Sequence, residues 1–230
     1  MLYTILNSGG NINFLEIVMH ILATLVVIVL VLPFHELAHG FVANKLGDDT
    51  AKRMGRLTFN PLAHLDPMGA LCLILVGFGW ANPVPVNMNR LNKPKRDMAL
   101  VALAGPMANL IAALAAQLLS NLWAVLLVVS FGHTMWFEAV EFFLEYIVSV
   151  NIGLAVFNLI PLPPLDGSKI LGAFLPNDLY EKQLENERRL SFILVGLVML
   201  GIVDKIIAIP YAALRVVISL IASLPFRPFI

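Results

Sequence analysis

The chain has 230 residues, of which 59% are hydrophobic and only 13% are charged. Soluble globular domains carry roughly 25% charged residues, so this composition excludes an ordinary water-exposed exterior and indicates a polytopic membrane protein. The 15 lysines and arginines balance the 15 aspartates and glutamates, which excludes the basic surface that nucleic-acid-binding proteins present. We therefore expect a lipid environment and no nucleic-acid partner.

The first apolar run predicts a membrane helix from near Phe14 to near Lys45. No lysine or arginine precedes it, so it lacks the positive n-region of a cleaved signal peptide and is interpreted as a retained span. Pro33 removes one backbone hydrogen bond, which predicts a kink inside this helix.

The segment around residues 55–90 is predicted to be re-entrant and partly extended. Its apolar part, residues 67–78, is too short to cross about 30 Å of hydrocarbon as a helix. Asp66 is positioned to cap that short helix. Further along, Pro83 and Pro85 alternate with valines, which favours extended backbone.

Further membrane helices are predicted over residues 97–122 and 135–159, and residues 190–224 hold one or two more. The fold class is therefore an all-α polytopic membrane protein with about five transmembrane helices, within a range of four to six. We expect one membrane-embedded domain over residues 1–230, with a core at about residues 14–175 and C-terminal membrane helices at about residues 190–224.

Positive charge gives these helices a direction. Twelve of the 15 lysines and arginines lie after the first predicted span, just before the second, or after the third. The positive-inside rule places these three segments in the cytoplasm and the N-terminus outside.

A metal-binding motif lies in the first membrane helix, in the order His35, Glu36, Leu37, Ala38, His39. Residues at i and i+4 share a helix face, so both imidazoles can reach one ion, and Glu36 can contact a water on that ion. Ionisable residues inside a membrane are costly and mark function. The motif predicts a zinc site, in which a third ligand must come from elsewhere in the chain.

The best candidate for the third ligand is Asp166, which follows a helix that Pro161 and the prolines after it bring to an end. Gly167 is expected to allow backbone geometry that other residues avoid. Irregular backbone at membrane depth is tolerated where it is buried in protein or lines a watery cavity. Asp166 could instead cap a helix that begins near Ser168, or do both.

On these motifs the chain resembles the site-2 proteases, the intramembrane zinc metalloproteases of peptidase family M50. Residues 35–39 match the family's H-E-x-x-H, and residues 158–167 match its second motif, N-x-x-P-x-P-x-L-D-G. Residues 105–109 resemble a third element, G-P-x-x-N. Residues 55–69 and 82–87 resemble, less specifically, segments common in the small bacterial and archaeal members, so the resemblance covers about residues 33–167.

The resemblance implies an intramembrane endopeptidase that cleaves membrane proteins in or near a transmembrane segment. One Zn²⁺ ion would be held by His35, His39 and Asp166, with Glu36 as the general base. Asn158 and Asn109 would bind the oxyanion or the substrate backbone; the alternative for both is hydrogen bonding between helices. The extended residues 82–87 would hold an unwound substrate, and the site would face the cytoplasmic side of the cell membrane.

Two other classes of function stay open. A membrane zinc-binding or transport protein would also need intramembrane His and Asp, but it would not need Glu36 between the two histidines. A catalytically inactive relative would bind membrane proteins without cutting them, and the complete set of ligands argues against it. For His64, a structural or interfacial role is favoured over contact with the site. The sequence leaves open the substrate's identity and the oligomeric state.

Overall fold

Helices dominate the structure, which is a computed structural model describing residues 14–76, 79, 81–130 and 135–227. No strand occurs among the residues that the structure describes. In chain order the α-helices are α1 (Phe14–Val26), α2 (Leu32–Lys45), α3 (Thr50–Arg53), α4 (Pro61–His64), α5 (Pro67–Val76), α6 (Pro94–Ser130), α7 (Met135–Asn158), α8 (Asp166–Gly172), α9 (Asn177–Glu185), α10 (Glu187–Met199) and α11 (Ile202–Ser223).

Four helical stretches among the described residues are long and apolar enough to cross a membrane. They are Ile21–Lys45, Pro94–Leu126, Phe137–Asn158 and Ile202–Phe226. This confirms the predicted class, an all-α polytopic membrane protein, and the number of candidate spans lies at the lower end of the expected range.

The irregularity predicted at Pro33 is spread over a full turn. A π-helical turn, Val27–Val31, joins α1 to α2, and Pro33 lies in the first turn of α2. Proline has no N–H to donate to the preceding turn, so the backbone widens before it. The apolar run therefore continues as one stretch into the segment that carries the two histidines.

Helices α6 and α7 form the centre of the molecule. Ala113 and Ala116 of α6 pack against Val148 and Ile152 of α7 in one buried apolar cluster, which Ile218 of α11 joins. Small side chains let membrane helices approach closely. Helix α6 also packs along α2 and α8, so it contacts both elements that carry the predicted metal ligands.

The contacts of α11 fix its direction. Val203, in its first turn, shares a cluster with Ile160 and Leu165, which follow the end of α7. Further along, Arg215 contacts Glu145, about three turns before the end of α7. Helix α11 therefore runs antiparallel to α7.

Helix α10 lies at the end of the molecule where α11 begins, because Leu194 packs in the same cluster as Val203. It has 13 residues, which span about 20 Å as a helix and fall short of about 30 Å of hydrocarbon. Of the two possibilities predicted for residues 190–224, the described residues support one span.

The region of residues 55–90 contains short helices and a segment without helix or strand, residues 81–87. Pro83 and Pro85 favour extended backbone at the residues before them, and we call residues 81–87 the extended segment. Asp66 accepts a hydrogen bond from the Gly69 N–H at 2.7 Å, so the predicted cap of α5 is confirmed. Within the part of the chain that the structure describes, the extended segment is not paired as a strand. The Asn82 N–H donates to the His64 carbonyl (2.8 Å) and the Asn87 N–H to Asp48 Oδ2 (2.6 Å). Residues 77, 78 and 80 of this predicted region lie outside the described residues.

Candidate metal centre

Helix α2 presents His35 and His39 on one face, and both side chains are buried. Their Nε2 atoms lie 3.1 Å apart. Asp166, the first residue of α8, places Oδ2 at 3.3 Å from His35 Nε2 and 3.2 Å from His39 Nε2. The structure thus brings together the three residues predicted as ligands, from opposite ends of the chain's central region.

The donor cluster fits zinc in size and in chemistry. Ligand atoms about 2.0–2.1 Å from a tetrahedral zinc are separated from one another by roughly 3.3–3.4 Å. The three separations here are 3.1, 3.2 and 3.3 Å. Two imidazoles and one carboxylate leave a fourth coordination position open, which is the arrangement of a catalytic zinc site.

A hydrogen bond to the backbone of α6 orients His39. Its Nδ1 donates to the Val101 carbonyl at 2.7 Å. With the proton on Nδ1, Nε2 carries the lone pair that a metal needs, so this bond selects the ligating tautomer.

Asp166 is buried, and Lys169 lies beside it with Nζ 3.7 Å from Oδ1. Burial by itself would raise the pKa of the Asp166 carboxyl, but the hydrogen bonds with His35 and His39 and the charge of Lys169 lower this pKa below its ordinary value overall. The side chain is therefore ionised at neutral pH, the form that binds a metal. Because Asp166 lies inside α8 and faces the histidines, the structure does not support a role for it as the cap of a helix starting near Ser168.

A glycine is needed at position 167 because a side chain there would overlap neighbouring backbone atoms. This reason differs from the predicted one, which was unusual backbone geometry. The glycines with positive φ among the described residues are Gly47, Gly55 and Gly201. A Cβ on Gly167, however, would lie 2.5 Å from the Ile160 carbonyl oxygen. The missing side chain lets α8 start against the backbone that follows α7, which brings Asp166 to the histidines.

Gly105 makes room for the histidine pair on the opposite side. A Cβ at this position of α6 would lie 2.6 Å from His35 Nε2 and would also overlap His39 Nε2. From sequence, Gly105 was assigned no role at the site beyond membership of a family element, so this contribution was missed. The available signal was the glycine that opens the G-P-x-x-N element.

A cavity of about 240 Å³ adjoins the donor cluster, and Glu36, Asn158 and Lys169 line it together with the three donors. Glu36 Oε2 accepts a hydrogen bond from the Val84 N–H at 2.8 Å. The rest of the wall is apolar, formed by Pro83, Val84, Val86, Met98, Val101, Ala102 and Pro164. The cavity therefore combines the polar donor groups with a largely apolar wall, part of which comes from the extended segment.

The other residues considered for the site differ in whether they line the cavity: Asn158 does, whereas Asn109 and His64 do not. Asn158 lines the cavity, and its Nδ2 donates to the Leu154 carbonyl at 3.0 Å. Asn109 is fully buried, is not among the described residues that line the cavity, and its amide has no hydrogen-bond partner among them. His64 is buried and hydrogen-bonded through Nε2 to the Thr58 carbonyl at 2.8 Å, which favours a packing role.

A His-His-Asp donor cluster on the helices of a polytopic membrane protein defines a class, the membrane-embedded metalloproteins with an open coordination position. Comparison with known proteins narrows this class. The family model described as Peptidase family M50 matches residues 118–203, which include Asn158 and Asp166.

Three relatives carry the provisional name zinc metalloprotease. YwhC of Bacillus subtilis (strain 168) is 42% identical over 166 residues, covering 70% of this chain and 74% of YwhC. Rip2 of Mycolicibacterium smegmatis is 28% identical over 172 residues, covering 72% of this chain and 62% of Rip2. MJ0611 of Methanocaldococcus jannaschii is 28% identical over 138 residues, covering 60% of this chain and 63% of MJ0611. The chain thus spans less than two thirds of the last two, and no solved structure gives a significant match.

The chain belongs to peptidase family M50, the site-2 proteases. It is a membrane protein and a zinc metalloprotease of that family.

Proposed function

We propose that the protein is an intramembrane zinc endopeptidase that hydrolyses peptide bonds in or near transmembrane segments of membrane proteins. The observation that carries this proposal is the convergence of His35, His39 and Asp166 at separations of 3.1–3.3 Å, on a cavity that Glu36 shares. The active unit is a single domain over residues 1–230, with its catalytic core at residues 14–175.

In this proposal His35, His39 and Asp166 hold one zinc ion, which when bound supplies a Lewis acid that polarises the scissile carbonyl and acidifies a water. Glu36 takes the proton of the attacking water and later passes it to the leaving amine. Glu36 lines the same cavity as the three donors, which supports this role.

Asn158 is the amide group that would bind the oxyanion or hold the substrate backbone, since it lines the cavity. Asn109 is the second candidate for this role. It lies one helical turn beyond Gly105 and does not line the cavity, but its buried amide has no hydrogen-bond partner among the described residues.

A substrate must unwind before its peptide bond can reach the site, because helical hydrogen bonds shield the bond. Residues 81–87 supply an extended backbone at the cavity, with Asn82 and Pro83 exposed. We propose that an unwound substrate segment aligns along this backbone by β-augmentation. The positive-inside rule supports a site near the cytoplasmic face of the cell membrane, with the N-terminus outside.

Glu36→Gln tests the catalytic part of the proposal. We expect the purified variant to keep its zinc and to lose cleavage of membrane-protein substrates by at least about 100-fold, the range of general-base catalysis. Wild-type rates in this variant would rule out the role given to Glu36.

Asp166→Ala tests the ligand set independently. It should lose most of its zinc as measured by elemental analysis, because two imidazoles are left to hold the ion. If the wild-type protein transports zinc into vesicles and cleaves none of the membrane proteins offered to it, the transport alternative is favoured instead.

A further inference from the structure

The carboxylate of Glu36 is bound by a backbone group from a distant part of the chain. Its Oε2 accepts the N–H of Val84 at 2.8 Å, across 48 positions of sequence. A glutamate has three rotatable side-chain bonds, so an unheld carboxylate on α2 would sample several orientations. The bond uses Oε2, and no hydrogen bond to Oε1 is seen among the described residues.

Val84 is itself held from several directions. Its side chain is 7% exposed and packs on Gly40 of α2, where a Cβ would come within 3.0 Å of Val84 Cγ1. Arg56 donates through Nη2 to the carbonyls of Asn82 and Pro83, at 2.8 and 3.2 Å. The donor that binds Glu36 thus belongs to a fixed backbone.

The far end of the extended segment is fixed as well. Asp48, which is fully buried, accepts the N–H of Asn87 at 2.6 Å and the N–H of Thr50 at 3.0 Å. Restraint at both ends keeps the Val84 N–H directed at α2. Since Pro83 and Pro85 have no N–H, Val84 is also the sole backbone donor within residues 83–85.

We propose that the Val84 N–H is a positioning group for Glu36, so that the segment along which substrate aligns also fixes the orientation of the general base. This inference rests on the proposed function, because it assigns a role to Glu36 in peptide hydrolysis. It adds a specific requirement: turnover depends on one backbone hydrogen atom outside the H-E-x-x-H helix.

Amide hydrogen exchange tests the contact without any measurement of activity. A peptide spanning residues 83–87 has amides only at Val84, Val86 and Asn87, so a change at one amide is resolvable. In the zinc-loaded protein, Glu36→Ala should accelerate exchange at Val84 by about tenfold or more, because a charge-assisted bond is lost. Glu36→Gln keeps an acceptor oxygen and should stay within about threefold of wild type.

The Asn87 amide is the internal control, since Asp48 and not Glu36 holds it. Faster exchange at Val84 alone supports the inference. Unchanged exchange at Val84, or equal acceleration at Val84 and Asn87, overturns it, because the first shows no contact and the second shows general loosening.

Replacing Val84 with its α-hydroxy analogue tests the catalytic consequence. This substitution turns one amide into an ester and removes the N–H without adding bulk. We expect kcat to fall about tenfold, with KM within about twofold and zinc content unchanged, as for a group that acts on the reacting step. The same kind of substitution at Phe59, which lies outside the cavity lining and whose N–H makes no hydrogen bond among the described residues, should leave kcat within about twofold.

A wild-type kcat in the Val84 ester overturns the positioning role even if Glu36→Gln is inactive. Wild-type rates in Glu36→Gln remove the role given to Glu36, and failure of the wild-type protein to cleave any membrane protein removes the proposed function itself, whatever the ester does. The two failures are therefore distinguishable.

Discussion

At Gly105, the absence of a side chain shapes the metal centre. Any Cβ at this position of α6 would overlap the imidazole of His39 and press on that of His35. The overlapped atoms belong to the two imidazoles, so relief would require these rings to move away from the positions in which their Nε2 atoms face Asp166. The histidine pair therefore depends on a residue that offers no metal-binding atom.

We predict that Gly105→Ala abolishes metal binding while leaving all three donors in the chain. The expected zinc content of the purified variant is below about one tenth of wild type, measured by elemental analysis. Gly153→Ala is the matched control, because a Cβ there meets nothing within 4 Å. Full zinc occupancy in Gly105→Ala would contradict this account of the site.

Lys169 offers a finer test of the same centre. Its Nζ faces Asp166 Oδ1, the oxygen turned away from the histidines. Groups that orient a ligand typically contribute 10–100-fold in metal affinity, so Lys169→Met should weaken zinc binding by about tenfold. Competition with a chelator would measure this. Lys169→Arg should restore most of the affinity, and equal loss in both variants would argue against a charge effect.

That His35, His39 and Asp166 lie close together was predictable from sequence, and the groups that support them were not. Two histidines at i and i+4 beside a glutamate form a recognisable pattern, and Asp166 stands where prolines end a helix. The Val101 carbonyl that orients His39 and the Val84 N–H that binds Glu36 are backbone groups. Every residue but proline has both, so only the folded chain shows which ones reach the site.

At the scale of elements, a polar cluster inside the membrane region joins three helices. Arg215 of α11 donates to Glu145 of α7 and, at 2.6 Å, to Gln117 of α6. Gln117 donates in turn to Asn121 at 3.1 Å. Charged groups at membrane depth are expected to face protein and pair with one another, and this cluster does so.

A comparison of single and double substitutions should separate the stabilisation by the Arg215–Glu145 ion pair from the cost of burying an unpaired charge. Arg215→Leu leaves Glu145 unpaired and should cost on the order of 2 kcal/mol in the free energy of unfolding, which lowers the melting temperature in detergent by several degrees. The double variant Arg215→Leu/Glu145→Leu should recover at least half of that loss. Additive losses in the double variant would show that the two side chains act independently.

Helix ends show where apolar patterning stops being informative. The apolar run predicted a start for the second span at Asp97, but α6 begins at Pro94. The side chain of Asp97 reaches back to accept the Lys93 N–H at 2.7 Å, which stabilises a polar first turn that hydropathy does not register. Likewise α10 is apolar enough to suggest a second C-terminal pass but is too short for one.

For the whole molecule, the direction of α11 determines on which side of the membrane the residues after this helix lie. With four spans and the N-terminus outside, residues after α11 also lie outside. A fifth span formed by α10 would place them in the cytoplasm instead. The packing of Leu194 and Val203 beside Ile160 and Leu165 favours the four-span arrangement.

Cysteine labelling in intact cells would test this topology, in a Cys72→Ser background that removes the native thiol. Lys93→Cys should be protected from an impermeant reagent, whereas Glu138→Cys and Arg227→Cys should react. Protection of Arg227→Cys together with Lys93→Cys would indicate five spans. Reaction of Lys93→Cys alone would reverse the assigned orientation.

The short distances of 3.1–3.3 Å among the three donor atoms affect which ions the centre can accept. At Gly105, helix α6 closes one side of the triangle that these atoms form, so the imidazoles cannot retreat in that direction to admit a larger ion. Ca²⁺, which prefers six to eight oxygens at 2.3–2.6 Å, would need both a wider opening and different donors. A metal ion held by these three residues would therefore be selected by size as well as by ligand chemistry, and the residue that sets the size limit is the smallest one available.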